Sequence, residues 1–160
     1  HGGTDFAWTA SEEERRKLWQ ARHDAAYANR AIRPGAQMLA TDVCVPISRL
    51  AECIGETKQD IDASFLPAPI VGHVGDGNFH LTIVFKPDDP RERAEAERLH
   101  DRLIARALRM DGTCTGEHGV GYGKIDFLRA EHGEGVAVMV AIKRALDPHG
   151  IMNPGKIIRT

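Results

Sequence analysis

The chain has 160 residues, enough for one domain with a buried core, and its 42% hydrophobic and 28% charged content excludes a disordered chain. Lys and Arg number 21 against 23 Asp and Glu, a formal net charge of −2, so no basic field exists to hold nucleic acid non-specifically. The longest apolar run, Val136 to Ile142, is far too short for a membrane span, and the three cysteines are too sparse for a disulfide framework, which fits a reducing compartment.

No repeat or linker-like stretch divides the chain, so a single domain is expected. The start, His1-Gly2-Gly3, has neither an initiator methionine nor a signal peptide and reads as an internal piece of something longer. The first helix opens at Ser11, where Ser11 and Glu14 form a capping box, and runs to about Arg30 before Pro34-Gly35. A β-rich run, Thr41 to Pro46, precedes a second helix from an N-cap at Ser48 through Ile54, ending near Gly55. Pro69 to His73 and Phe79 to Phe85 read as two strands around a Gly75-Asp76-Gly77-Asn78 turn.

A third helix begins with Asp89 as N-cap and Pro90 at its first position, carries Leu99, Leu103, Ala107 and Met110, and stops at Asp111-Gly112. Thr113 to Gly123 holds four glycines and reads as a loop or an irregular strand. Short helices over Ile125 to Glu131 and Glu134 to Leu146 follow. Helices mixed with a hairpin make an α+β layered domain.

The histidine count of eight is high for this length. If Asp76-Gly77 is a two-residue type I′ turn, His73 lies directly opposite His80, with Val74 and Phe79 pointing into the core. Opposed residues have Cβ atoms about 4.5–5.5 Å apart, close enough for two imidazoles to converge on one ion. Two unrelated strand histidines is an equal alternative on spacing alone. The segment Gly116-Glu117-His118-Gly119-Val120-Gly121 tips the balance. Adjacent side chains of an extended segment point opposite ways, so Glu117 can complete a metal site while His118 faces a substrate. Two histidines and a carboxylate with open positions make a catalytic site, suited to zinc, manganese or iron.

On the first helix, at about 100° per residue, Arg22 falls inside the apolar arc of Leu18, Trp19 and Ala25. It reads either as a fork for a substrate carboxylate or, more commonly for such a residue, as an internal salt bridge or a snorkelling side chain. Cys44, Cys53 and Cys114 read as packing residues, while His100, His132 and His149 read as solvated. Lys124 and Lys156 follow glycines and are placed to meet an anion, though loop lysines of this kind are more often simply exposed. No glycine motif for a nucleotide follows a strand.

Five segments occur in order: Leu18-Trp19-Gln20-Ala21-Arg22-His23, Thr41-Asp42-Val43-Cys44-Val45-Pro46, Gly72-His73-Val74-Gly75-Asp76-Gly77-Asn78-Phe79-His80, Gly116-Glu117-His118-Gly119-Val120-Gly121 and Met152-Asn153-Pro154-Gly155-Lys156. Together they resemble the C-terminal part of FAD-linked 2-hydroxy acid dehydrogenases, the D-lactate dehydrogenase (cytochrome) and glycolate oxidase subunit family of vanillyl-alcohol-oxidase-type flavoproteins. The resemblance implies a ferredoxin-like antiparallel sheet covered by helices, with further C-terminal helices. It makes residues 1–160 the substrate- and metal-binding domain, with the FAD-binding domain outside them. By the same resemblance His73, His80 and Glu117 bind a divalent metal, zinc first. His118 is the base, Arg22 binds the substrate carboxylate, and Asn153 lies near the flavin.

One departure carries information. Related D-2-hydroxyglutarate dehydrogenases hold the second carboxylate with a lysine at the position of Ala40, so a short monocarboxylate such as D-lactate or glycolate is expected here. The resemblance further implies an electron acceptor such as cytochrome c or a quinone, and it admits a homodimer. The location it implies is mitochondrial in a eukaryote, and cytoplasmic or membrane-peripheral in a bacterium. Two rival readings stand beside it: a non-catalytic metal-binding or interaction module, and a metal hydrolase that uses water as nucleophile.

Overall fold

The computed structural model describes residues 8–159, so the His1-Gly2-Gly3 start lies outside the described residues. It is an α+β structure: α1 (Glu12–Ala31), β1 (Gln37–Ala40), β2 (Val43–Cys44), α2 (Ile47–Asp62), β3 (Ile70–His73), β4 (Asn78–Phe85), α3 (Pro90–Arg109), α4 (Ile125–His132) and α5 (Gly135–Leu146).

Helix ends follow the local chemistry. Ser11 Oγ accepts from the Glu14 amide at 3.4 Å. Asp89 Oδ1 accepts from the Arg91 and Glu92 amides at 2.9 and 3.4 Å, ahead of Pro90. The second helix departs from expectation at both ends: it begins at Ile47 behind Pro46 with no side-chain cap, so Ser48 lies inside it rather than capping it. It runs to Asp62 straight through the exposed Gly55, because Leu50, Cys53 and Thr57 keep a buried stripe going on both sides of that glycine.

The antiparallel sheet is centred on β4. Its far half pairs with β1 (Gln37↔Phe85 to Ala40↔Thr82) and its near half with β2 (Val43↔Phe79, Cys44↔Asn78). On its other edge β4 pairs with β3. Cys44 forms a further bridge to Thr113 through its own amide and carbonyl. The expected strand at Thr41–Pro46 is therefore interrupted: pairing begins earlier, at Gln37, and between β1 and β2 the Thr41 amide still donates to the Leu81 carbonyl at 2.9 Å while Asp42 leaves the ladder.

The hairpin register also differs. Val74–Asp76 form a 3-10 turn closed by Gly77 at φ 77°, so four residues separate the strands and His73 faces Asn78 while Val71 faces His80. A Cβ on Gly77 would collide with the Val45 carbonyl, which makes glycine obligatory at this left-handed position. Val74 is exposed in the turn rather than buried. The slip is two residues, an even number, so His73 and His80 still share one face of the sheet.

Phe79, Leu81 and Ile83 alternate onto the opposite face and pack with Leu50, Cys53, Leu99, Leu103 and Ile104 of α2 and α3 as the main core. A smaller cluster joins Leu128, Val136 and Ile158. The first helix buries no residue: its Leu18, Trp19 and Tyr27 are exposed, so the expected apolar arc does not enter the core. It is tied to the polar face of β4 instead, with Asn29 Nδ2 donating to Thr82 Oγ1 at 2.8 Å.

Candidate active site

The polar face of the sheet carries a cleft of about 340 Å³, bordered by α1, β1, the β3–β4 hairpin and the Glu117-His118 loop; Arg22, His73, His80, Glu117 and His118 all line it. His80 comes from β4, His73 from the end of β3, and Arg22 reaches over from α1. Glu117 Oε1 lies 2.9 Å from His80 Nε2, 3.7 Å from His73 Nε2 and 3.8 Å from His118 Nε2. The His80 and His118 rings stack with centroids 4.8 Å apart. Arg22 Nη2 donates to His73 Nε2 at 2.9 Å.

His80 is held from behind. Its Nδ1 donates to the Thr41 carbonyl at 2.9 Å, which leaves the Nε2 lone pair pointing at a carboxylate oxygen. Two acceptors at that distance need a proton or a cation between them. The ligand atoms of His73, His80 and Glu117 lie within 4.8 Å of one another, so this trio is a donor set that a divalent cation fits. The ligand atoms of Asp42, His80 and His118 also lie within 4.8 Å of one another. This is the poorer set, because both Asp42 oxygens are already taken by protein donors.

Asp42 was not singled out by motif spacing, and it is the most committed carboxylate in the site. It is fully buried. Oδ1 accepts from Asn78 Nδ2 at 2.8 Å, while Oδ2 accepts from Thr115 Oγ1 at 2.8 Å, the Glu117 amide at 3.0 Å and the His118 amide at 2.9 Å. Burial pushes this carboxyl up, but the His118 amide, Thr115, Asn78 and the Glu117 amide outweigh it and hold it well below the usual carboxylate range.

Lys124 is buried too, against the expectation of an exposed loop lysine. Its Nζ donates to the carbonyls of Asp42 and Cys114 at 2.8 and 2.7 Å and stands 3.8 Å from Asp42 Oδ2. Burial lowers its pKa, and the Asp42 charge opposes that. His100 likewise is half-buried against Phe127 rather than solvated, and desolvation lowers its pKa. All three cysteines are free, Cys53 and Cys114 buried and Cys44 partly so, in keeping with packing roles.

Asn153 is not in this cleft. It lies on the C-terminal tail at φ 45° and lines a separate cleft of about 730 Å³, largely apolar, with Val120, Met139, Ile142 and Leu146. Gly119 and Gly121, which follow His118, border that second cleft and so put the two side by side. Among the described residues no helix is long and apolar enough to cross a membrane.

The family model for the C-terminal domain of FAD linked oxidases matches residues 1–157. The chain is 54% identical over 159 residues to a probable mitochondrial D-lactate dehydrogenase of Danio rerio, covering 99% of this chain and 32% of that protein. It is 49% identical over 159 residues to the mitochondrial D-lactate dehydrogenase [cytochrome] of Arabidopsis thaliana, covering 99% and 28%. To a glycolate oxidase subunit of Escherichia coli it is 34% identical over 163 residues, covering 99% and 32%. The chain thus spans about a third of the length of the curated relatives it matches.

Proposed function

This chain belongs to the family of C-terminal domains of FAD linked oxidases, and on that premise we propose that it forms the substrate- and cation-binding part of an FAD-dependent 2-hydroxy acid dehydrogenase. The substrate we infer is a short monocarboxylate, D-lactate or glycolate, oxidised to the 2-oxo acid. The observation that carries this reading is the meeting of Arg22, His73, His80, Glu117 and His118 on one cleft. The names of the relatives, D-lactate dehydrogenases and a glycolate oxidase subunit, support the same class.

His73, His80 and Glu117 are the residues that would hold a divalent cation: zinc, or else manganese or iron. Bound there, the cation supplies Lewis acidity to the C2 hydroxyl, and FAD supplies the acceptor for the C2 hydride. Arg22 orients the carboxylate with its planar fork. His118, exposed on its loop, takes the hydroxyl proton at Nε2. Met38, Ala40 and Val71 wall the same cleft, which suits a methyl group better than a second carboxylate. Asn153 is the flavin contact on this reading, and the apolar lining of its cleft fits the edge of a planar ring. An FAD-binding domain outside residues 1–160 would hold most of the cofactor.

We read the sheet as a ferredoxin-like βαββαβ unit in which β1 and β2 are one broken strand and the Thr113 bridge is the remnant of the fourth. The electron acceptor on this reading is cytochrome c or a quinone. The compartment is mitochondrial in a eukaryote, and cytoplasmic or membrane-peripheral in a bacterium.

The test is His80→Ala in the full-length flavoprotein, with cation content by elemental analysis, flavin by absorbance and D-lactate turnover measured on one preparation. Cation and turnover should vanish together while flavin stays. Retained turnover with flavin bound would overturn the scheme, and cation bound by the unsubstituted protein with no 2-hydroxy acid oxidised would favour the binding-module reading.

A further inference from the structure

The interruption between β1 and β2 places two groups in the site at once. At Thr41 the ladder changes partners: the Leu81 amide donates to the Thr41 hydroxyl at 2.8 Å rather than to its carbonyl. The freed carbonyl takes His80 Nδ1 at 2.9 Å. One residue on, the Asp42 side chain turns to the loop and accepts both the Glu117 and the His118 amides. Gly116 permits this closeness, since a Cβ there would strike Asn78 Nδ2.

All four partners of the Asp42 carboxylate are donors: an amide on Oδ1, and a hydroxyl and two backbone N–H groups on Oδ2. An asparagine at position 42 would have to turn its NH2 toward one of these sets, leaving donor against donor in a buried place. Alanine would leave all four donors without an acceptor. Only a carboxylate of this length offers acceptors on both arms, and Lys124 supplies the nearest counter-charge.

We propose that Asp42 is a positioning residue for the reaction: it fixes the backbone from which Glu117 and His118 project, and so sets where the cation ligand and the base stand relative to His80. This rests on the function proposed above for Glu117 and His118. Asp42 touches neither substrate nor cation and acts through the two residues it holds. A static fold contact would stabilise the whole sheet. A positioning contact acts on the loop and on the turnover step, leaving Arg22 and therefore substrate affinity largely alone.

The test uses Asp42→Asn and, because that variant is at risk of folding poorly, also Thr115→Val, which removes one donor and keeps the charge. Both are made in the full-length protein that carries this chain. Backbone amide exchange is compared between residues 115–118 and β4, and kcat and KM for D-lactate and Zn²⁺ affinity of the stripped protein are measured beside it. For Asp42→Asn, exchange in 115–118 should rise by about tenfold or more over that in β4. Its kcat and Zn²⁺ affinity should fall by about 10- to 100-fold, the usual cost of losing an outer-shell partner, with KM within about threefold of the parent. Thr115→Val should move the same quantities in the same direction by a few-fold. Unchanged relative exchange at 115–118 in both variants overturns the proposal, as does a uniform rise across β4 with kcat unchanged. If the parent protein oxidises no 2-hydroxy acid and binds no Zn²⁺, the functional reading fails, and the exchange comparison still decides whether Asp42 holds the loop.

Discussion

Arg22 and His73 share one lone pair. Nη2 of Arg22 donates to His73 Nε2 at 2.9 Å, and the same nitrogen stands 3.7 Å from Glu117 Oε1. A cation held by His73 through Nε2 and a guanidinium donating to Nε2 exclude each other, so loading the site would free Arg22 for a substrate carboxylate.

Arg22→Ala is therefore expected to act in opposite directions on the two ligands. Zn²⁺ affinity should rise by a few-fold, since a competing donor and a nearby positive charge are gone. For D-lactate, kcat/KM should fall by about 10- to 100-fold, the equivalent of one charge-assisted hydrogen bond at about 1.5–3 kcal/mol. Calorimetric Zn²⁺ titration and steady-state kinetics check the two halves separately, and a variant with parental values in both would refute the shared role.

A second prediction concerns the helix pair beneath the sheet. Arg106 is buried on α3 and donates to Glu56 Oε2 and Thr57 Oγ1, both at 3.0 Å, and pairs with Asp60; Arg102 also reaches Asp60, at 2.6 Å. Arg102 still holds Asp60 and Arg109 still holds Glu56 when Arg106 is removed, so Arg106→Leu takes away part of a network and should cost about 1–3 kcal/mol in urea unfolding. Asp60 sets the pH dependence. Burial raises its pKa, but Arg102 and Arg106 outweigh that and hold it below the ordinary value. A depressed folded pKa means stability that is present above the unfolded value, about 3.9, and is lost as pH falls through the folded one. The urea-midpoint gap between parent and Asp60→Asn should thus be full at neutral pH and close below about pH 4. A gap independent of pH would contradict it.

The α2–α3 pairs were not legible in the sequence, because Glu56, Asp60, Arg102 and Arg106 look like ordinary solvated helix faces until the helices are laid together. Two of the three expected caps were legible: Ser11 and Asp89 act within three residues of themselves, whereas Ser48 lies inside α2 and caps nothing. The meeting of His73 with His80 was legible for a robust reason. The turn is two residues longer than a type I′ turn, yet an even slip preserves faces. The role of Asp42 and the burial of Lys124 were not legible, because Asp42 serves the Glu117 amide and Lys124 the Asp42 carbonyl, and no periodicity or spacing records partners 75 and 82 residues away. Arg22 did reach the site, though not from a buried arc: Leu18 and Trp19 beside it are exposed.

A third prediction is chemical. Burial pushes the Cys114 thiol up to about 12, and Glu131, which accepts from the Cys114 amide at 2.9 Å, adds to the rise. At pH 8 the thiolate fraction is on the order of 10⁻⁴, so iodoacetamide should leave Cys114 unmodified in the native protein and label it fully in urea. Peptide mass spectrometry reads both states; rapid labelling of Cys114 without denaturant would contradict its packing.

The last prediction tests substrate length. Ala40 closes β1 and lines the cleft alongside Met38 and Val71, on the same wall as His80 and Thr82. Its side chain is exposed to the cleft, so a longer residue at this position extends into open space rather than into the core. Ala40→Lys would put an ammonium group there. Without a substrate carboxylate opposite it, that charge simply solvates, so the fold should be little affected and Tm should stay within a few degrees. With a dicarboxylic 2-hydroxy acid in the site, the lysine gains a charge-assisted partner at about 1.5–3 kcal/mol. The ratio of kcat/KM for D-2-hydroxyglutarate over D-lactate should then rise by about 10- to 100-fold, partly because the wall no longer suits a methyl group. An unchanged ratio in a folded, flavin-loaded variant would mean that the far end of the substrate does not lie against β1, and the assignment of this wall to the substrate side chain would have to be abandoned.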